Sequence, residues 1–382
     1  MGKLFLSCGR LLCIIALFVA GSVIFPESLI LAGGNVTLNT GETVPGYWYN
    51  GKWVKLDMIS EYKNGSVFCI DANNGNVICG GFVFNDRNDM KPVYWKSGKM
   101  TVLAINVQGI DSISGKITCM AIDSDDIYFG GSLDILVNGK RRSVAAIWKN
   151  DQLTVIPSKP NEVWNYASVD SLKIRNHDLV AGGMIQNQDG NQFPVIWTMG
   201  EWSYLDVPKN TSRILFDNIC IFNNKVVVAA TYLDKTAEGV DPTWGATNPM
   251  FWVEGSPNRL QCPIEGKRCW SRGIAYLDSD QYLAGNIEQN LQEIMNGKNA
   301  INSPGYWKNG KWNMLPVLQN GKSSETTSII ATNKSIVIGG WAVDIENSRK
   351  AVCWIDGNIF VLEVSGMKQR VIKSEITCLS YY

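Results

Sequence analysis

The apolar positions of this chain fall into short runs separated by polar turns. Val44-Pro-Gly-Tyr-Trp-Tyr49 and Trp53-Val-Lys-Leu56 flank Asn50-Gly51, and far along the chain Ser303-Pro-Gly-Tyr-Trp307 and Trp312-Asn-Met-Leu315 flank Asn309-Gly310. Two apolar runs around an Asn-Gly pair predict a β-hairpin with a tight turn. Weaker copies recur between these two and after them. A dipeptide ending in Trp marks each copy: Tyr47-Trp48, Tyr94-Trp95, Ile147-Trp148, Ile196-Trp197, Phe251-Trp252, Tyr306-Trp307 and Cys353-Trp354. A period of about 50 residues built from β-type segments predicts propeller blades of four strands each.

Each copy has the same internal order. A short strand such as Val67-Phe-Cys-Ile70 leads through a polar turn to a second strand that ends in two small residues. These pairs are Gly80-Gly81, Gly130-Gly131, Gly182-Gly183, Ala229-Ala230, Ala284-Gly285 and Gly339-Gly340. A variable loop leads to the Trp strand, and a tight turn leads to the last. Glycine inside a strand signals a close approach, and the expected neighbour is the large Trp of an adjacent strand or blade. The first copy starts at Ser28-Leu-Ile-Leu-Ala-Gly-Gly34 without a first strand, and Glu375-Ile-Thr-Cys-Leu-Ser-Tyr-Tyr382 is a first strand with nothing after it. The expected fold is therefore all-β: a seven-bladed β-propeller with four-stranded blades, its ring closed by pairing of the N- and C-terminal strands. The expected blades are 28–58 with 375–382, then 66–105, 115–158, 168–208, 217–263, 273–317 and 326–364.

The glycine pair followed by a Tyr and then a Trp, as in Gly33-Gly34, Tyr47 and Trp53, resembles the kelch-like propellers. Trp48 and its equivalents, directly after the Tyr position, depart from that pattern. The Tyr306-Trp-Lys-Asn-Gly310 form is similar to secreted bacterial repeat proteins of unknown activity. The resemblance covers nearly all of the chain beyond residue 22; it implies the fold and leaves the function open.

The N-terminus adds a second expectation. Lys3 and Arg10 precede the apolar core Leu11–Ala20, and Gly21 and Ser22 offer small residues for cleavage, so 1–22 reads as a signal peptide and 23–382 as one propeller domain. The alternative is a retained membrane anchor. Export predicts an extracytoplasmic location: secreted, periplasmic or cell surface. Lys+Arg and Asp+Glu are both 35, which argues against broad electrostatic binding to nucleic acid or an anionic membrane. Membrane contact is then expected only through an uncleaved N-terminal segment, and a monomer is expected. Of the 10 cysteines, Cys69, Cys119, Cys220 and Cys378 occupy matching places and read as small packing residues. Cys262 with Cys269, and Cys69 with Cys79 across a hairpin turn, are candidate disulfides.

Tight turns fall on one face and the varied loops on the other, which makes the second face the expected site of binding. Trp164, Trp244 and Trp270 lie in its connections, with Tyr166, Asp241 and Arg272 beside them. Together they form the candidate ligand-binding set, although each Trp can equally pin its own loop. No cofactor and no metal site is expected. The single histidine, His177, sits in a polar turn. The leading expectation is a non-catalytic binding scaffold for a protein or glycan. The alternatives are a carbohydrate-active enzyme using loop carboxylates such as Asp241, Glu288 and Glu293, and a structural envelope component.

Overall fold

A computed structural model describes residues 30–86, 89–106, 111–157, 162–209, 211–234, 246–264, 267–289 and 301–381. The signal-peptide expectation, residues 1–22, lies outside these, as do Asp241, Trp244 and Glu293. Every regular element among the described residues is a strand. The first three are β1 (Ile30–Leu38), β2 (Thr43–Tyr49) and β3 (Lys52–Lys55). Sets of four follow: β4 (Tyr62–Asn73), β5 (Asn76–Asn85), β6 (Met90–Lys96), β7 (Lys99–Val102); and β8 (Asp111–Asp123), β9 (Asp126–Val137), β10 (Lys140–Lys149), β11 (Gln152–Val155). Next come β12 (Trp164–Arg175), β13 (Asp178–Asn187), β14 (Gln192–Thr198), β15 (Glu201–Tyr204); and β16 (Thr211–Phe222), β17 (Lys225–Asp234), β18 (Ala246–Val253), β19 (Ser256–Arg259). The last are β20 (Arg268–Leu277), β21 (Asp280–Glu288), β22 (Asn302–Lys308), β23 (Lys311–Met314); then β24 (Ser324–Ala331), β25 (Ile336–Val343), β26 (Arg349–Ile355), β27 (Asn358–Val361); and finally β28 (Val371–Tyr381).

Within each set neighbouring strands pair antiparallel in chain order, single parallel bridges, Ser143 to Tyr166 and Arg349 to Lys373, join β10 to β12 and β26 to β28, and β28 pairs antiparallel with β1, from Ile30 opposite Tyr381 to Leu38 opposite Val371. The chain's last strand thus stands where the other sets have their first. Burial follows position. Second strands such as β17 are apolar and buried through their middle, from Val226 to Ala230, while the last strand of that set, β19, is exposed at all four residues. Turns follow residue chemistry. Asn50-Gly51, Asn74-Gly75 and Asn309-Gly310 have positive φ at both central residues, which is the type I′ geometry that matches strand twist.

The Trp residues join neighbouring sets. Trp48, Trp95, Trp148, Trp252, Trp307 and Trp354 are fully buried. Five of these indole N–H groups donate to a backbone carbonyl just beyond the preceding set: Trp95 to Asp57 (2.6 Å), Trp148 to Ala104 (2.9 Å), Trp252 to Asp206 (2.8 Å), Trp354 to Pro316 (2.8 Å) and Trp48 to Glu363 (3.0 Å). In the fourth-strand position of its set Trp202 takes over this bond, to Pro157 at 2.9 Å, and Trp197 is only half-buried.

Three sequence expectations are corrected. First, the closest approach to the second glycine of each pair is a backbone oxygen of the first strand. A Cβ at Gly81 would stand 1.9 Å from the Ser66 oxygen, at Gly131 1.9 Å from Lys116, at Gly183 2.0 Å from Ser168, and at Gly340 2.0 Å from Glu325. A Trp ring comes second at Gly34, where it would lie 3.0 Å away, and at Gly285, at 2.5 Å. Second, Cys69 and Cys79 do not face each other: Cys79 is opposite Ile70 and Cys69 opposite Gly80. A one-residue difference in register puts them on opposite faces of the sheet. Third, Cys220 is not equivalent to Cys119, since Cys119 stands opposite Gly130 whereas Asn218, not Cys220, stands opposite Ala229.

Gly131→Ala should therefore destabilise the protein by about 1–3 kcal/mol, because a backbone carbonyl cannot move aside as a side chain can. Ala230→Gly should cost no more than about 1 kcal/mol. Urea denaturation midpoints of the two variants check this, and equal small effects would refute the contact.

Candidate active site

The glycine contact coincides with a break in register. Opposite the pair of small residues, one residue of each first strand has no partner: Phe68 in β4, Thr118 in β8, Asp170 in β12, Asp217 in β16, Arg272 in β20, Thr327 in β24 and Thr377 in β28. Such a bulge re-aims the extra side chain. All seven residues line one cavity of about 650 Å³, walled by these same seven strands.

Three of the seven bind the frame. Thr118 donates to the Val169 carbonyl (2.5 Å), Thr327 to Ile376 (2.8 Å) and Thr377 to Val67 (2.6 Å), each in the next set. Phe68 stays 39% exposed and stacks on Phe82 with ring centroids 5.3 Å apart. The other three carry charge. Arg272 Nη2 lies 2.5 Å from Glu325 Oε1, and its guanidinium sits 5.8 Å over the Trp270 ring.

Asp170 and Asp217 occupy neighbouring first strands. The Ser168 hydroxyl donates to Asp170 Oδ2 at 2.8 Å. Ser271 donates to Asp217, and Ser271 is itself fixed, its backbone N–H on Thr231 Oγ1 at 2.8 Å and its hydroxyl 3.0 Å from that same oxygen. Burial pushes both carboxyls up to about 6, against the opposing pull of Ser168 and Lys116 on Asp170, and of Ser271 and Arg272 on Asp217. Both keep part of their surface open to the cavity. Two accessible carboxyls that titrate near neutrality can divide the roles of proton donor and acceptor.

The residues named from the sequence are placed elsewhere, apart from Arg272. Trp164 is 8% exposed, edge-on to Trp202 at 5.3 Å, with its indole N–H on Glu162 at 3.0 Å. Tyr166 is half-buried against the core next to Phe216. Trp270 is half-buried, and its indole nitrogen has no hydrogen-bond partner. Glu288 is buried, with its carboxyl pushed up by burial and Arg268 3.3 Å away, so it does not present a carboxylate to the cavity. Cys262 and Cys269 are free thiols; Cys269 Sγ donates to the Thr247 carbonyl at 3.7 Å, and burial pushes the Cys269 thiol up. His177 is exposed in its turn and meets Asp123 at 3.2 Å. Among the described residues no group of three His, Cys, Asp or Glu can hold a metal ion. Asp170 and Asp217 carry a signal in the repeats, since each follows the residue opposite the second small residue; only the registers reveal that this position is the bulge.

No protein-family model matches the chain, and no curated protein matches its sequence. Its structural neighbours are β-propeller proteins. A puromycin-hydrolyzing peptidase of Mycobacterium tuberculosis aligns with a TM-score of 0.55 at 10% identity, over 91% of this chain and 53% of the peptidase, so the chain spans about half that protein's length. YCF48 bound to D1 peptide gives 0.44 at 11% identity, over 90% and 94% of the two chains. Sucrose-6-phosphate hydrolase from Lactobacillus gasseri gives 0.41 at 10%, over 84% and 91%. At such identity the likeness speaks for the fold. The expectation of a non-catalytic scaffold is corrected: the neighbour that aligns above a TM-score of 0.5 is a hydrolysing peptidase, and Asp170, Asp217 and Arg272 meet in the central cavity.

The raised carboxyls make a signed prediction. Between about pH 4 and 6 the native state holds protons that the unfolded chain has released, so these groups make stability fall as pH rises through that window. The free-energy difference between the wild type and Asp170→Asn/Asp217→Asn should shift against the wild type from pH 4 to 6 and be flat above about pH 7. A constant difference across pH 4–7 in denaturant titrations would contradict the shifts.

Proposed function

We propose that the chain is a seven-bladed, kelch-like β-propeller closed by β28 on β1, and that it is a carbohydrate-active hydrolase working in its central cavity. The fold part is supported by the seven first strands around one cavity and by Trp48, whose bond to Glu363 repeats across the chain ends what Trp95 and Trp354 do within the chain. The functional part is carried by one observation: Asp170 and Asp217 project from equivalent bulges of neighbouring strands into that cavity.

Arg272 and the Ser271 hydroxyl favour the charged form of Asp217, so Asp217 serves as the base. Asp170 has the Ser168 hydroxyl and Lys116 beside it but no guanidinium, and serves as the acid. The Asp170 proton passes to the glycosidic oxygen as the bond from the anomeric carbon breaks. A water loses its proton to Asp217 and its oxygen joins that carbon, so one water is added overall. Phe68 offers an apolar ring for the C–H face of a sugar. Peptide hydrolysis by a serine–histidine pair is disfavoured, because the one histidine is exposed in a turn away from these residues. Export through residues 1–22 and action as a monomer outside the cytoplasm belong to the same reading.

A panel of aryl glycosides and oligosaccharides tests it. At least one should be cleaved, fastest near pH 6, with a loss of roughly 10²–10⁴-fold in Asp170→Asn and in Asp217→Asn. No cleavage across the panel, or cleavage that both variants retain, would refute the assignment.

A further inference from the structure

Behind Asp217 stands a pair of buried hydroxyls, Thr231 on β17 and Ser271 on β20. They meet because the residue after the second small residue of one set packs against the residue before the bulge of the next. In the following pair of sets the same places hold Asn286 and Thr326, joined by the Thr326 backbone N–H on Asn286 Oδ1 at 2.8 Å. There the first set carries Arg272 at its bulge, which has no oxygen to accept a proton. The Thr231–Ser271 pair stands instead beside a bulge carboxyl.

The protons of this pair can be counted. Each hydroxyl has one to give. Thr231 Oγ1 accepts the Ser271 backbone N–H at 2.8 Å, and among the described residues its own proton has one acceptor in reach, Ser271 Oγ at 3.0 Å. Ser271 Oγ receives that proton and gives its own to Asp217 Oδ2. The reverse direction would leave the Thr231 proton buried without an acceptor, which is costly. The chain therefore runs one way, from Thr231 through Ser271 to Asp217, and it needs an unprotonated oxygen at its end. Charged groups act on Asp217 alongside it: Arg272 on β20, which is paired with Glu325 of β24 at 2.5 Å, and Asp170 and Lys173 of β12, which line the same cavity. Those act on the carboxyl through space, whereas the hydroxyl chain acts on one of its oxygens.

We infer that Thr231 is a positioning residue for Asp217: through Ser271 it reserves Oδ2 as an acceptor, so that Oδ1 is the oxygen that takes the proton from the attacking water. The inference rests on the reading of Asp217 as the base. Thr231 itself is buried and acts only through Ser271.

Three variants of the whole protein test this: Thr231→Val, which keeps the shape and removes the hydroxyl, Thr231→Ser, which keeps the hydroxyl, and Thr231→Cys, which keeps a weaker donor. The readout is the Asp217 carboxyl, followed by ¹³C NMR through a pH titration. Without the Thr231 proton, Ser271 can turn to accept from a protonated Oδ2, so in Thr231→Val the carboxyl should titrate higher by about half a unit or more. Asp170 should stay in place, and Thr231→Ser should titrate as the wild type does. With a cleavable glycoside, the acid limb of the kcat profile should move up with Asp217 in Thr231→Val while KM changes by less than about twofold. If Thr231→Val does not fold, Thr231→Cys should show a smaller shift in the same direction. A folded Thr231→Val or Thr231→Cys with Asp217 unmoved, or a Thr231→Ser shifted as far as Thr231→Val, would overturn the inference. The carboxyl titration needs no substrate, so failure of every glycoside to react counts against the hydrolase reading and leaves this measurement to decide the chain.

Discussion

The rest of the structure depends on a contact with no side chain on one side of it. The second glycine of each pair lies so close to a first-strand carbonyl that any Cβ would overlap it, by the distances at Gly81, Gly131, Gly183 and Gly340. That approach accommodates the bulge, and the bulge turns one residue per set away from the sheet and into the central cavity. Backbone geometry therefore decides where the chemistry stands, while sequence at the bulge decides what it is. Threonine there ties one set to the next; aspartate and arginine there have a different consequence. The one set with Ala229-Ala230 keeps its register break, between Phe216 and Asn218, so smallness is the requirement.

The buried indoles hold the surrounding frame. Five of the six reach a carbonyl of the preceding connection with the N–H that would be costly to bury alone. The frame buries Asp170 and Asp217, and this raises both against the donors beside them. Arg272 connects the two levels, since it lines the cavity and is anchored to Glu325 in the next set. Asp217, beside Arg272, and Asp170, nearest Lys116, thus meet different charged neighbours.

Much of the architecture was legible in the text of the chain. Asn50-Gly51 and Asn309-Gly310 gave their turns, the glycine pairs marked the second strands, and the repeated Trp marked the contacts between sheets. The site was not, for a physical reason. Alternation along a strand has a period of two, and a bulge breaks it by one residue without leaving a mark in composition. The same one-residue blindness set Cys69 opposite Cys79, and it hid Asp170 and Asp217 among ordinary strand residues. The expected sets began a few residues late, at 66 instead of Tyr62 and at 273 instead of Arg268, because the stretch before each bulge does not read as a strand. Attention also went to the long loops, since varied length is visible in one dimension and convergence of seven distant strands is not.

The central claim is that the cavity holds two carboxyls lifted by burial. Carbon-detected NMR of aspartate carboxyls labelled with ¹³C, followed through a pH titration, measures this directly. Two resonances should titrate near pH 6, one vanishing in Asp170→Asn and the other in Asp217→Asn. If both aspartates titrate instead below about pH 4.5, within the ordinary carboxylate range, the cavity does not prepare them for proton transfer and the account fails.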